Sequence, residues 1–185
     1  MIRMSPYLNF GGNAEEAFAF YKSVFGGDYL AVMRYRDFGQ NPMGLSEQEL
    51  DRIAHIALPV GDKLLMASDA IEWWQPFRMG NNYYITLETD SVAEADRLFD
   101  ALSSGGKTEM EMQRTEWAEK YGTCAGRFGV QWMVMYTRDV QFAGGLGEAF
   151  GARRRLERAD AVEERKLGHG DKSLVWLGSL LLKIP

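Results

Sequence analysis

Tyr7-Leu8-Asn9-Phe10, leading into Asn13-Ala14-Glu15-Glu16-Ala17 and closed by Gly26-Gly27, reads as a strand, a capped helix and a helix stop. The chain then repeats the statement. Tyr84-Ile85-Thr86-Leu87 leads into Ser91-Val92-Ala93-Glu94-Ala95 and closes on Gly105-Gly106, at an offset of 77 to 79 residues. That period is too long for a solenoid repeat and marks a duplicated unit. Two similar half-sheets can pair around a shared concavity, and ligand sites favour concavities.

Around this phrase the pattern fills in on both sides. Asn13 is placed to cap the first helix, with Glu16 at capping-box spacing. Ala17, Phe20, Tyr21, Val24 and Phe25 recur as one apolar stripe. In the second helix Ser91 is the cap, Glu94 stands at the box position, and Val92, Ala95, Leu98, Phe99 and Leu102 form the stripe. Strand-like runs follow each helix: Asp28–Arg36, Ile53–Val60 and Lys63–Ser68 in the first half, the last two joined by the tight-turn pair Gly61-Asp62. The second half has Lys107–Gln113, a weaker stretch near Gly122–Ala125, and Gly129–Tyr136. The loop 37–52 is polar with a short helical hint at Ser46–Leu50, and the loop Ala70–Gly80 carries Trp73, Trp74 and Phe77. The expected fold is α+β: two βαβββ modules (5–69 and 81–136, within a domain 1–136) forming a cupped mixed β-sheet with the helices on its outer face.

Strand alternation assigns the faces. Leu8 and Phe10 turn to the helix and Tyr7 and Asn9 away from it; Ile85 and Leu87 turn to the helix and Tyr84 and Thr86 away. Ile56 and Leu58 are helix-facing, leaving His55 and Ala57 on the cavity side. The last strand divides into Val130, Trp132, Val134 and Gln131, Met133, Met135.

Composition narrows the class. With 46% hydrophobic and 25% charged residues in 185, the chain has the make-up of an ordinary globular protein with a sizeable core. The single cysteine, Cys124, excludes an internal disulfide framework. The N-terminus reads straight into a strand without a signal-peptide pattern, and no apolar run reaches the roughly 20 residues a membrane span needs, so a cytoplasmic location and no membrane partner are expected. Residues 1–136 carry 12 Lys/Arg against 19 Asp/Glu. An acidic body without a basic stripe disfavours nucleic acid.

Several phrases together carry a family resemblance: Pro6-Tyr7-Leu8-Asn9-Phe10, Gly12-Asn13-Ala14-Glu15-Glu16-Ala17, Ile53-Ala54-His55, Leu65-Met66-Ala67-Ser68-Asp69-Ala70, Gln113-Arg114-Thr115-Glu116-Trp117-Ala118 and Arg127-Phe128-Gly129-Val130-Gln131-Trp132-Met133. In this order they resemble the vicinal oxygen chelate superfamily, which includes glyoxalase I, extradiol dioxygenases and bleomycin-resistance proteins. Within it the chain looks closest to the PhnB-like family, often labelled a 3-demethylubiquinone methyltransferase domain. The resemblance spans residues 5 to about 136. It departs at Gly126, where the family usually has an aspartate. It implies a glyoxalase-like fold and a homodimer, because such modules often pair across chains.

Catalytic members of the superfamily hold a divalent metal between modules, and the resemblance places the ligands on the first strand of each module, late in the first sheet, and on the final strand. Here those positions are Tyr7, Asn9, Tyr84 and, four residues after Phe128-Gly129 begins to close the phrase, Met133. None supplies the hard donors such metals prefer. No metal and no cofactor are therefore expected.

His55, the one histidine of the body, is the candidate for acid–base work. Its alternative is a half-buried imidazole bonded to a neighbouring strand or tyrosine. Methyl transfer gains no support, since Gly11-Gly12-Asn13 before a helix is more simply a turn and cap. No Ser-His-Asp or Cys-His set can be built around Cys124.

What remains is the lining of a small-molecule pocket: Tyr7, Tyr84, Trp73, Trp74, Trp117, Met66 and Met133 as apolar surface, with Asn9, His55, Ser68, Thr86 and Gln113 as polar anchors. Against this stands the reading of Trp117 and Trp132 as core, which alternation favours for Trp132, and of Trp73 and Trp74 as a dimer contact. The expected function is metal-free binding of a small organic molecule in an aromatic-lined cavity. The alternative is a lyase, isomerase or dioxygenase of glyoxalase type with a degenerate site around His55. Residues 137–185 fall outside the repeat. Ala152–Lys166 reads as a charged helix and Ser173–Ile184 as a short apolar run, an accessory tail, partly helical or disordered, or the product of an altered reading frame.

Overall fold

A computed structural model describes residues 4–41, 44–71 and 76–137, all within one compact unit, Met1–Arg138. Trp73, Trp74 and the tail 138–185 lie outside the described residues. Module one runs β1 (Tyr7–Phe10), α1 (Ala14–Phe25), β2 (Ala31–Arg34), a 3-10 turn at Tyr35–Phe38, α2 (Glu47–Leu50), β3 (Ile53–Val60) and β4 (Lys63–Asp69). Module two runs β5 (Ile85–Glu88), α3 (Val92–Ser103), β6 (Lys107–Gln113), β7 (Lys120–Ala125) and β8 (Gln131–Tyr136). Each module is its own four-stranded mixed sheet, ordered β1-β4-β3-β2 and β5-β8-β7-β6, with the first strand of each module parallel to the last. No described helix is long and apolar enough to cross a membrane.

One core joins the modules. Leu8, Phe10, Ile56, Leu58 and Ala67 of the first sheet and Trp132 and Val134 of the second are buried on the helix side, as alternation requires. The apolar arc of α1 is wider than one sheet needs, and the reason is that it packs on two partners. Ala14, Ala17 and Phe18 bury against their own sheet, where Phe18 meets Phe10 edge-on at 6.4 Å. Tyr21 and Phe25 turn to Trp132 of module two at 5.4 and 5.8 Å, and Phe20 turns to Phe128 at 5.9 Å. Arg97 of α3 donates to the Val24 carbonyl at 3.0 Å, tying the two helices together. Trp132, 1% exposed, is core.

Two local expectations give way. Asn13 precedes α1 without a side-chain cap bond. The cap comes instead from Asp69 at the end of β4, whose Oδ1 accepts from Gly12 N and Ala14 N at 2.9 Å each while Oδ2 accepts from Ile53 N at 2.9 Å. A buried carboxylate with three backbone donors at a helix N-terminus outcompetes the exposed amide of Asn13. In α3 Ser91 caps Glu94 N as expected, but Glu94 turns to Arg97 at 2.7 Å rather than closing the box. The strand expected over Asp28–Arg36 ends at Arg34, because Asp37 accepts from Arg34 N at 2.7 Å and folds the chain into the 3-10 turn.

Candidate functional site

The helices cover one face of each sheet and leave the other open. On the open face of module one lie Tyr7, Asn9, His55, Met66 and Ser68. The register sets Tyr7 beside Met66 and Asn9 beside Ser68, with His55 on β3 across from Met33. Tyr7 is 47% exposed, and its hydroxyl shares a 3.3 Å hydrogen bond with His55 Nδ1 as the two rings stack at 5.8 Å. Ser68 Oγ donates to Asn9 Oδ1 at 3.2 Å. Burial raises the Tyr7 phenol and lowers His55, so the imidazole is neutral near pH 7.

Module two presents the matching face. Tyr84 is 40% exposed and precedes β5; Thr86 stands beside Met133 and donates to its Sδ at 3.7 Å. Gln113 lies opposite Tyr121, and Trp117 packs edge-on against the Tyr121 ring at 5.7 Å. Tyr84 donates its hydroxyl to Glu109 Oε2 at 2.6 Å, and this bond holds the phenol's proton on more tightly. Tyr84 adjoins one edge strand and Glu109 sits on the other, three strands away. Their contact requires the sheet to curl over its open face, which is the cup the duplication calls for.

The two faces correspond in position and differ in chemistry. Ser68 beside Asn9 matches Met133 beside Thr86, and His55 on the neighbouring strand matches Thr123, beside Met133. Module one therefore offers an imidazole from an inner strand, and module two a carboxylate from an outer one. Sequence reading passed over Glu109 and Tyr121. Glu109 sits where the β6 register shifts between Thr108 and Met110, so strict alternation gave no signal for it.

Among the described residues, two clefts each take only a few of the candidates. A cleft of about 300 Å³ takes Tyr7 and Asn9 together with Phe77, Met79, Tyr83 and Phe128. A second, of about 530 Å³, takes Thr86 with Phe25, Leu65, Arg97 and Trp132. His55, Met66, Ser68, Tyr84, Gln113, Trp117 and Met133 line neither.

The metal centre implied by the fold does not fit these side chains. Among the described residues no three His, Cys, Asp or Glu side chains converge, and the corresponding positions hold phenol, amide and thioether groups. Cys124 is buried, and desolvation pushes its thiol up to about 11, which leaves it protonated and unreactive.

The chain matches the family model described as 3-demethylubiquinone-9 3-methyltransferase over residues 3–135. It is 32% identical over 139 residues to Protein YjdN of Escherichia coli (strain K12), covering 71% of this chain and 92% of that protein. The crystal structure of PA1353 from Pseudomonas aeruginosa is similar at 39% identity and a TM-score of 0.65, over 74% of this chain and 98% of that one. A putative 3-demethylubiquinone-9 3-methyltransferase, PhnB protein, from Bacillus cereus is similar at 22% identity and a TM-score of 0.60, over 74% of this chain and 100% of that one. The fosfomycin resistance protein FosX from Mesorhizobium loti shares the fold at 12% identity and a TM-score of 0.50, over 82% of this chain and 99% of that one.

Proposed function

This chain belongs to the PhnB-like family described as 3-demethylubiquinone-9 3-methyltransferase, within the glyoxalase-like fold, and on that footing we propose that it binds a small, partly aromatic or apolar organic molecule on the open faces of its modules without a metal. The observation that carries the reading is the pair of exposed tyrosines, each hydrogen-bonded across its sheet to a titratable group: Tyr7 to His55 at 3.3 Å and Tyr84 to Glu109 at 2.6 Å. Around them methionines and aromatics supply apolar area, and Asn9, Ser68, Thr86 and Gln113 supply orientation. We propose further that two copies pair so that an open face of one closes over an open face of the other, giving the enclosure that neither cleft of a single chain provides.

Methyl transfer, named in the family's description, draws no support from the site. The glycine turn before α1, the stretch that most resembles a cofactor-binding loop in sequence, is already taken: the carboxylate of Asp69 accepts from Gly12 N and Ala14 N there. Binding also stands ahead of glyoxalase-type turnover, because among the described residues His55 has Tyr7 as its one hydrogen-bond partner and no carboxylate beside it. The test is an NMR titration with an uncharged aromatic probe, 2-naphthol. Shifts centred on Tyr7, His55, Tyr84, Thr86 and Met133 are expected; no shifts, or shifts confined to other surfaces, would remove the reading.

A further inference from the structure

The open face of module two has a chemical bias that its partner face lacks. Glu109 is an exposed carboxylate on β6 that accepts a hydrogen bond from the neutral phenol of Tyr84 at 2.6 Å. No Lys or Arg among the described residues lies within ion-pair distance of it. One Glu109 oxygen thus remains free of any charge-neutralising contact, and a carboxylate retains strong acceptor capacity after one hydrogen bond. Three aromatic side chains lie on or border the same open face. The Tyr84 hydroxyl touches Glu109, Tyr121 stands on β7 two residues from Thr123, which pairs with the neighbouring Met110, and Trp117, 46% exposed, stands edge-on to Tyr121 at 5.7 Å.

Aromatic rings that share an open face with a carboxylate lacking a cationic partner among the described residues are complementary to one kind of group, a cation with an apolar coat. The body's excess of Asp and Glu over Lys and Arg adds a long-range field of the same sign. An anionic headgroup is repelled by the same arrangement, and a neutral aromatic gains only the ring contacts. We propose that Glu109, Tyr84, Tyr121 and Trp117 form a seat for an organic cation, a protonated amine or quaternary ammonium, so that the molecule bound by this protein carries such a group. The proposal rests on the small-molecule reading above and narrows it to a substrate class.

The test compares two isosteres, (4-hydroxyphenyl)trimethylammonium and 4-tert-butylphenol, by NMR titration and Trp117 fluorescence at low and high salt. The cation is expected to bind about tenfold more tightly than the neutral probe, with the advantage shrinking as salt rises. Glu109→Gln, which keeps the acceptor for Tyr84 on an exposed side chain, is expected to cut that preference to about twofold while leaving 4-tert-butylphenol affinity unchanged. Trp117→Leu is expected to weaken both probes. Equal affinity for the two probes in the natural protein, or a preference that survives Glu109→Gln, would overturn the proposal. If neither isostere binds while 2-naphthol still shifts the open faces, this inference falls and the broader reading stands; if 2-naphthol also fails, both fall.

Discussion

Module one holds its helix from a distance and module two from next door. The N-terminus of α1 is gripped by Asp69, a residue of the last strand of its sheet, which also fixes the start of β3 through Ile53 N. The N-terminus of α3 is capped by Ser91, the residue just before it, while Thr89 donates to the carbonyls of Ser91 and Met135. The same fold is thus closed once by a buried carboxylate that couples three segments, and once by an exposed serine cap beside a buried threonine that ties the approach of α3 to β8. Duplication has kept the architecture and let the chemistry of closure diverge, as it has let the open faces diverge into Tyr7 with His55 and Tyr84 with Glu109.

Asp69→Ala breaks this contrast most forcefully. It strands three backbone N–H groups at once, two of them buried, and is expected to cost about 3–5 kcal/mol in urea denaturation. Ser91→Ala removes one exposed cap and should cost about 1 kcal/mol. Equal losses for the two variants would erase the distinction between the modules.

The glycines that follow the two helices sharpen it next. A Cβ on Gly106 would lie 2.2 Å from the Ala125 carbonyl oxygen, backbone that cannot swing aside, so Gly106→Ala should cost about 2–3 kcal/mol. Gly27 has open space around it but a φ of +76°, so Gly27→Ala should cost only about 1 kcal/mol. The reverse order of melting temperatures would show that the tight helix-to-strand join belongs to module one.

Titration separates the faces by the smallest margin. Burial lowers the folded-state pKa of His55 below the usual histidine value of about 6.5. The unfolded chain then binds the proton more readily, so the stability held by a neutral His55 is complete above about pH 6.5 and is lost as pH falls toward the folded pKa. Its counterpart Thr123 has no such behaviour. His55→Gln should flatten the decline in urea midpoint between about pH 7 and 5 relative to the natural protein; an unchanged slope would assign the acid sensitivity to other groups.

Much of this fold is legible in the sequence because it rests on local periodicity. The alternation in Tyr7-Leu8-Asn9-Phe10 and Val130-to-Val134, the Gly61-Asp62 turn and the short helical stretch at Ser46–Leu50 each involve residues a few positions apart, and each is found where the pattern puts it. Asp69 was missed because its partners are 16 to 57 positions away and Asn13 offers a plausible cap nearby. Phe18 was left out of the α1 stripe because Phe20, Tyr21 and Phe25, which pack on module two, suggest a single face; α1 packs on both modules, and Phe18 lies on the side toward its own sheet. The open-face residues were legible one strand at a time. Which of them meet was not, since the contact of Tyr84 with Glu109 depends on the curl of the whole sheet.

The central claim is that the two open faces serve together as a metal-free organic binding site. Native mass spectrometry of the purified full chain, with collisional release of anything bound, tests it most directly. The expected result is a dimer that sheds a small organic mass, with no stoichiometric divalent metal. A monomer or dimer carrying stoichiometric Zn, Ni, Mn or Fe, and no organic mass, would contradict it.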